Sequence, residues 1–203
     1  MTDTSQSAYD KLIHYFEQRT HLSDADKAAI KASYKPKKLK KKEFLFRQGE
    51  ICKYEGFVAT GSFRLFYTDY KGLEHVLYFA FENWWVGDMA SFYEHEPSAL
   101  NIQALQDSEL LVTDEAHKDA LFEQVPSLEK VFRQMTQKHL TVLQKRFLVT
   151  VSANAEARFN ELLERCPTIE QLVPQHQIAS YLGILPESLS RMKKQIAKRE
   201  RLQ

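Results

Sequence analysis

The stretch from Gln175 to Ile196, QHQIASYLGILPESLSRMKKQI, holds the side chains best placed to do chemistry. Glu187, Ser188, Arg191, Lys194 and Lys198 fall on the outward face of one predicted helix. Such a set suits a DNA groove: residues near the helix start can reach base edges, and later Lys and Arg can reach phosphates. Gln175 and His176, at the start of the preceding helix, are counted with them as DNA-binding residues. The apolar positions supply the frame. Ile178, Leu182, Ile184, Leu189 and Met192 are spaced for two short helices joined by a tight turn. Ala179 is small where the helices cross, and Gly183, four residues on, tolerates the positive φ that the turn requires. Pro186 fits a first helical position, where an N–H has no intrahelical acceptor. From Pro186 to Gln203 six basic residues stand against two acids. These features predict a helix-turn-helix that binds double-stranded DNA; the bland alternative is a solvated helical hairpin with a basic tail.

The composition of the whole chain hides that local charge. The 203 residues carry 28 basic and 27 acidic side chains, a net charge of +1, so global charge argues neither for nor against nucleic acid. With 12% aromatic residues the chain has ample core material, which excludes a disordered reading. Cys52 and Cys166 have no nearby partner, which argues against a disulfide framework, a zinc ribbon and a cysteine-ligated cluster. No segment reads as a signal peptide or a membrane span, and the expected location is cytoplasmic.

Three textures follow one another along the chain. Tyr9, Leu12, Ile13 and Phe16 fall at helical spacing, and Ser23-Asp24-Ala25-Asp26 opens a second helix that should stop before Pro36. From about residue 36 to 115, short apolar runs alternate with Gly and Asp turn signals, which predicts about seven strands in a sandwich or rolled barrel. A short helix then ends at Pro126, and a long one runs from about Ser127 to Thr150. On it Leu128, Met135, Val142 and Val149 recur every seven residues, with Phe132, His139 and Arg146 beside them. A second face carries Val131, Leu140, Leu143 and Phe147. Two apolar faces need two partners: the β domain, and something else. The economical second partner is the same helix of another copy, with the Leu128–Val149 stripe and its neighbours as the dimer interface; burial of both faces within one monomer is the alternative. The fold class is therefore α+β: an N-terminal jelly-roll-like β-roll with flanking helices, a central helix and a C-terminal helix-turn-helix. The expected divisions are 1–126, 127–150 and 151–203.

On these motifs the sequence resembles the Crp/Fnr family of bacterial transcription regulators over nearly its whole length. The best local matches are Gly87-Asp88-Met89, where the family has Gly-Glu-Leu, and LGILPESLSR. In tone, EHVLYFAFENWWVGDMASF looks like the family's Bacteroidetes-type branch. The resemblance implies a homodimer reading a two-fold DNA site, and an effector domain shaped like a cyclic-nucleotide-binding roll. It places Glu187, Ser188 and Arg191 at base-reading positions, with Arg191 suited to guanine. RNA polymerase and a small-molecule effector of unknown identity are further candidate partners. Pro186 departs from the family's frequent Arg, and Leu185 from its capping Ser or Thr. The family's two-stranded wing has no counterpart, since none of the few residues after Lys198 reads as a strand.

The effector pocket implied by the resemblance comprises Gly87, Asp88, Met89, Ser98 and Ala99. Laid over the family without gaps, Ser98 takes the place of the phosphate-binding Arg, and His95 is the only basic residue between Gly87 and Leu105. Losing a charge-assisted phosphate contact costs roughly 1.5–3 kcal/mol, so cyclic AMP is not the expected effector. No cofactor and no metal site are expected: His75 is a lone histidine without a His-x-His cluster. The six lysines of Lys35–Lys42 suit an anionic surface but fit a solvated edge strand better. Trp84 and Trp85 are expected to pack in the roll or on the central helix. The chain is not expected to be an enzyme; the competing readings are a small-molecule-binding roll and a protein-interaction module that has lost DNA binding.

Overall fold

The computed structural model describes residues 3–152 and 154–200, with side-chain placement left out for 3–5, 145, 146, 149–152 and 200. Two helices lead in, α1 (Asp3–Glu17) and α2 (Asp24–Ser33). The start of α2 is closed reciprocally. The Asp26 N–H donates to Ser23 Oγ at 3.2 Å, and the Ser23 N–H donates to Asp26 Oδ2 at 2.8 Å. Eight strands follow: β1 (Lys35–Leu39), β2 (Phe44–Phe46), β3 (Glu55–Thr60), β4 (Phe63–Thr68), β5 (Glu74–Ala80), β6 (Trp85–Val86), β7 (Asn101–Ala104) and β8 (Ser108–Thr113). Helix α3 (Met89–Glu94) interrupts them after β6. The strands form two antiparallel four-stranded sheets, ordered β1-β8-β3-β6 and β2-β7-β4-β5. Apolar side chains from both sheets, among them Val58, Phe63, Leu65, Ile102 and Leu110, fill the space between them. The lysine-rich segment is β1, at the edge of its sheet, with Leu39 its one buried residue. Its charges discourage pairing with another strand.

A second core lies outside the roll. Leu12 and Phe16 of α1 pack there with Phe57 of β3, Leu121 of α4 (Glu115–Gln124), and Leu128, Val131 and Phe132 of α5 (Pro126–Ser152). Leu128 and Phe132, expected at a dimer seam, are thus buried inside the chain, 0% and 8% exposed. The division falls along α5 and not between its two faces: Leu128, Val131 and Phe132 of the early turns, drawn from both faces, meet the roll, while Leu140, Leu143 and Phe147 farther along are exposed. Sequence spacing separates two faces but does not say where along the helix the roll ends. Of the other expected seam residues, Met135 and Val142 are half-buried and His139 is exposed; Arg146 and Val149 lie outside the described side chains.

One ion pair ties α4 to the roll. Lys118 Nζ donates to Glu55 Oε2 and, at 2.8 Å, to the Tyr93 hydroxyl of α3. The Lys118 and Glu55 side chains are 4% and 10% exposed. Burial opposes the lysine charge, but Glu55 and Tyr93 outweigh it and hold the ammonium above its ordinary pKa. A raised folded pKa means that this contribution is complete below about pH 10.4, the unfolded value, and is lost as pH rises through the folded one. Glu55→Gln leaves a buried charge unmatched and should lower the unfolding free energy in urea by about 3 kcal/mol. Combining it with Lys118→Met should recover most of that loss, and an unchanged midpoint for the single variant would refute the pair's role.

Candidate nucleic-acid interface and effector site

The C-terminal helices are α6 (Ala155–Arg165), α7 (Ile169–Leu172), α8 (Gln175–Leu182) and α9 (Pro186–Glu200). Ile178, Ala179 and Leu182 of α8 and Leu189 of α9 are buried together. Ala179, fully buried, is the small residue that lets α9 approach. Gly183 takes φ +65°, and the Ile184 N–H donates back to the Ala179 carbonyl at 3.0 Å, which closes the turn. Arg158 of α6 donates to the Leu182 carbonyl at 2.8 Å and fixes the end of α8 from behind.

On α9 the spacing of Glu187, Arg191, Lys194 and Lys198 puts all four on one exposed face, opposite Leu189. Ser188 is half-buried at its margin, and its hydroxyl accepts from Arg191 Nη2 at 3.4 Å. Gln175 and His176 are exposed at the start of α8. The basic residues of α9 divide by role. Lys193 pairs with Glu170 of α7 and Arg199 with Glu156 of α6, so these two hold the helices together. Arg191, Lys194 and Lys198 remain on the outer face. Composition alone merges the two sets.

The candidate effector residues are not assembled into an open site. Asp88 caps α3, accepting from the Ser91 N–H at 3.4 Å and from the Ser98 hydroxyl at 2.7 Å. Both Asp88 and Ser98 are buried. Met89 and Ala99 are exposed, and Gly87 is half-buried. His95 turns away to Glu115 of α4, 3.2 Å distant. His75 pairs with Asp69 at 2.9 Å and stacks on Tyr67. Trp85 packs on Phe132 of α5 with ring centroids 5.2 Å apart.

Sequence reasoning missed how the helix-turn-helix is seated. Strand β5 is an edge of its sheet, and α8 lies against it. The Ser180 hydroxyl donates to the Glu74 carbonyl at 2.8 Å and accepts from the Val76 N–H at 3.0 Å. One side chain thus meets the strand as the backbone of a neighbouring strand would. Phe66, Val76 and Phe79 of the roll share a core with Phe159, Leu162 and Ile178. These contacts join residues more than a hundred positions apart, so no local pattern could have flagged Ser180.

A family model described as the cyclic nucleotide-binding domain matches residues 36–125, the roll with α3 and α4. That segment is similar to the cyclic nucleotide-binding domain over its matched length. Among solved structures, the regulator CLP of Xanthomonas campestris, described as c-di-GMP responsive, superposes with a TM-score of 0.69 at 16% identity, over 88% of this chain and 93% of its own. FixK2 from Bradyrhizobium japonicum gives 0.67 at 18%, over 82% and 86%. The Thermus thermophilus catabolite activator protein gives 0.54 at 21%, over 88% and 85%. The fold is that of these solved structures. No curated protein sequence matches the chain. The α+β architecture expected of a Crp/Fnr-type chain is present from lead-in helices to helix-turn-helix, and among the described residues no helix is long and apolar enough to cross a membrane.

Ser180→Ala removes both bonds to β5. At about 1 kcal/mol of net stabilisation, amide exchange at Val76 should accelerate about fivefold, while exchange in β8 stays the same. Unchanged protection at Val76 would show that the hydroxyl does not seat the helix.

Proposed function

We propose that this chain is a homodimeric, sequence-specific DNA-binding transcription regulator of the Crp/Fnr type and not an enzyme. The observation that carries the reading is the exposed row Glu187, Arg191, Lys194 and Lys198 on a helix whose other side is anchored by Leu189 and by ion pairs to α6 and α7. Arg191 presents a guanidinium to guanine edges, Glu187 an acceptor for a cytosine amino group, and Lys194 and Lys198 charges for phosphates. Leu140, Leu143 and Phe147 form an exposed apolar row on α5, suited to the same row of a second copy. Two recognition helices set one DNA turn apart, about 34 Å, would then read a two-fold site.

Cyclic AMP is not its effector in this reading. Where the resemblance puts a phosphate-binding Arg, the chain has Ser98, and its hydroxyl is committed to Asp88. Calorimetric titration with cyclic AMP should give no saturable heat at micromolar concentrations; a saturable isotherm there would overturn this part of the reading.

Selection of genomic fragments by the full chain, followed by mobility-shift titration, tests the main conclusion. The selected sequences should share a two-fold pattern, and affinity should fall steeply with salt. Arg191→Ala should cost about 1–3 kcal/mol on the selected site and relax the preference at one base, whereas Lys194→Ala should reduce the salt slope by about 1 without changing preference. Absence of any salt-dependent shift would favour an interaction module instead.

A further inference from the structure

Outside the roll, a cleft of about 950 Å³ opens between α1, β6, α4 and α5. Sites for small organic ligands span about 300–1,000 Å³. Of the five expected effector residues only Gly87 and Met89 line it; Asp88, Ser98 and Ala99 do not. Three aromatic residues packed edge to face line the cleft. Trp85 lies 6.1 Å from Tyr15 and 5.2 Å from Phe132, centroid to centroid. The indole N–H of Trp85 is buried with no acceptor, and a buried donor of this kind seeks an oxygen.

The charges around the cleft do not balance. Lys118 is matched by Glu55, and Glu82 by Lys11. That leaves Arg19, Arg133 and Lys138 lining the cleft with Glu129. Glu129 precedes Arg133 by one helical turn, where it can neutralise a single cation. Arg19 is held in place over the Tyr15 ring, 3.7 Å from its centroid, while it donates to the Tyr15 carbonyl. The apolar row offered to a second copy begins at Leu140, beyond Phe132 and Arg133 along α5.

We propose that this cleft binds a flat organic anion, an aromatic or conjugated carboxylate. Its ring lies against Tyr15, Trp85 and Phe132, and its carboxylate faces Arg19, Arg133 and Lys138. A neutral planar molecule would gain the stacking but not the charge-assisted hydrogen bonds. Because α1, the roll and α5 all contribute walls, occupancy would bear on how α5 sits against the roll. Its role as the effector site rests on the regulator reading above; the binding itself does not.

The test is calorimetric titration of the full chain with 2-naphthoate and with its uncharged isostere, 2-naphthamide. The expected result is saturable binding of the naphthoate and about tenfold weaker binding of the amide. Arg133→Gln with Lys138→Gln, both at exposed positions, should weaken naphthoate about tenfold and leave the amide unaffected, with circular dichroism unchanged. Equal affinities, no saturable naphthoate heat, or a folded variant that binds like the parent would each overturn the proposal. If the variant fails to fold, the naphthoate–naphthamide comparison on the unaltered chain decides alone. A mobility shift on the same preparation separates the two readings. DNA binding without naphthoate binding sinks the cleft alone, and naphthoate binding without any DNA shift sinks the regulator reading alone.

Discussion

A single helix, α5, must close the outer flank of the roll and still reach the C-terminal helices. Its first turns do the closing. Leu128, Val131 and Phe132 sit in one core with Leu12 and Phe16 of α1, Phe57 of β3 and Leu121 of α4. Three elements therefore depend on one helix being in register with the roll. At 27 residues and about 1.5 Å per residue, α5 then extends well beyond that anchorage. Past Met135 its exposed face changes from a wall of the roll to an apolar row open to solvent.

Electrostatics divides the molecule in the same way. The roll keeps its few buried charges internally matched: Lys118 with Glu55, Arg64 with Glu74, and Asp88 with the Ser98 hydroxyl. Unmatched positive charge is placed outside, on α9 and around the cleft beside α1. The Gly87-Asp88-Met89 cap is not an open receptor for an anion, because the Ser91 N–H and the Ser98 hydroxyl, donors an anion would use, already serve the Asp88 carboxylate. The cap survives as structure: Asp88 holds the start of α3, and α3 brings Tyr93 to the Lys118 pair.

Features that rest on neighbours within one turn were legible in the sequence. Ser23 with Asp26, the Ala179–Gly183 spacing, Pro126 at the start of α5 and the lysine-rich edge strand are of this kind, because capping, positive φ and edge charge are local constraints. The exposed row on α9 was legible for the same reason, since one helical period relates its members. What was not legible depends on folding. Lys118 meets Glu55 across 63 residues, and Lys193 and Arg199 are drawn off the outer face by acids on other helices. How far the roll runs along α5 is likewise not encoded by periodicity, and Leu128 and Phe132, whose turns it covers together with Val131, were placed at the seam on that account.

The seating of α8 on β5 has a cost if it is ever undone. While Ser180 and Tyr181 cover that margin, the sheet has no bare side there; Tyr181 adds a ring contact to Phe79 at 5.4 Å. Swinging the C-terminal helices outward would strip the hydroxyl from Glu74 and Val76 and leave a hungry strand facing water, ready to zip onto any extended chain nearby. The β1 edge of the other sheet carries lysines as protection, whereas this one carries only the helix. Cover for the β5 edge and the position of α8 are therefore secured by the same two hydrogen bonds.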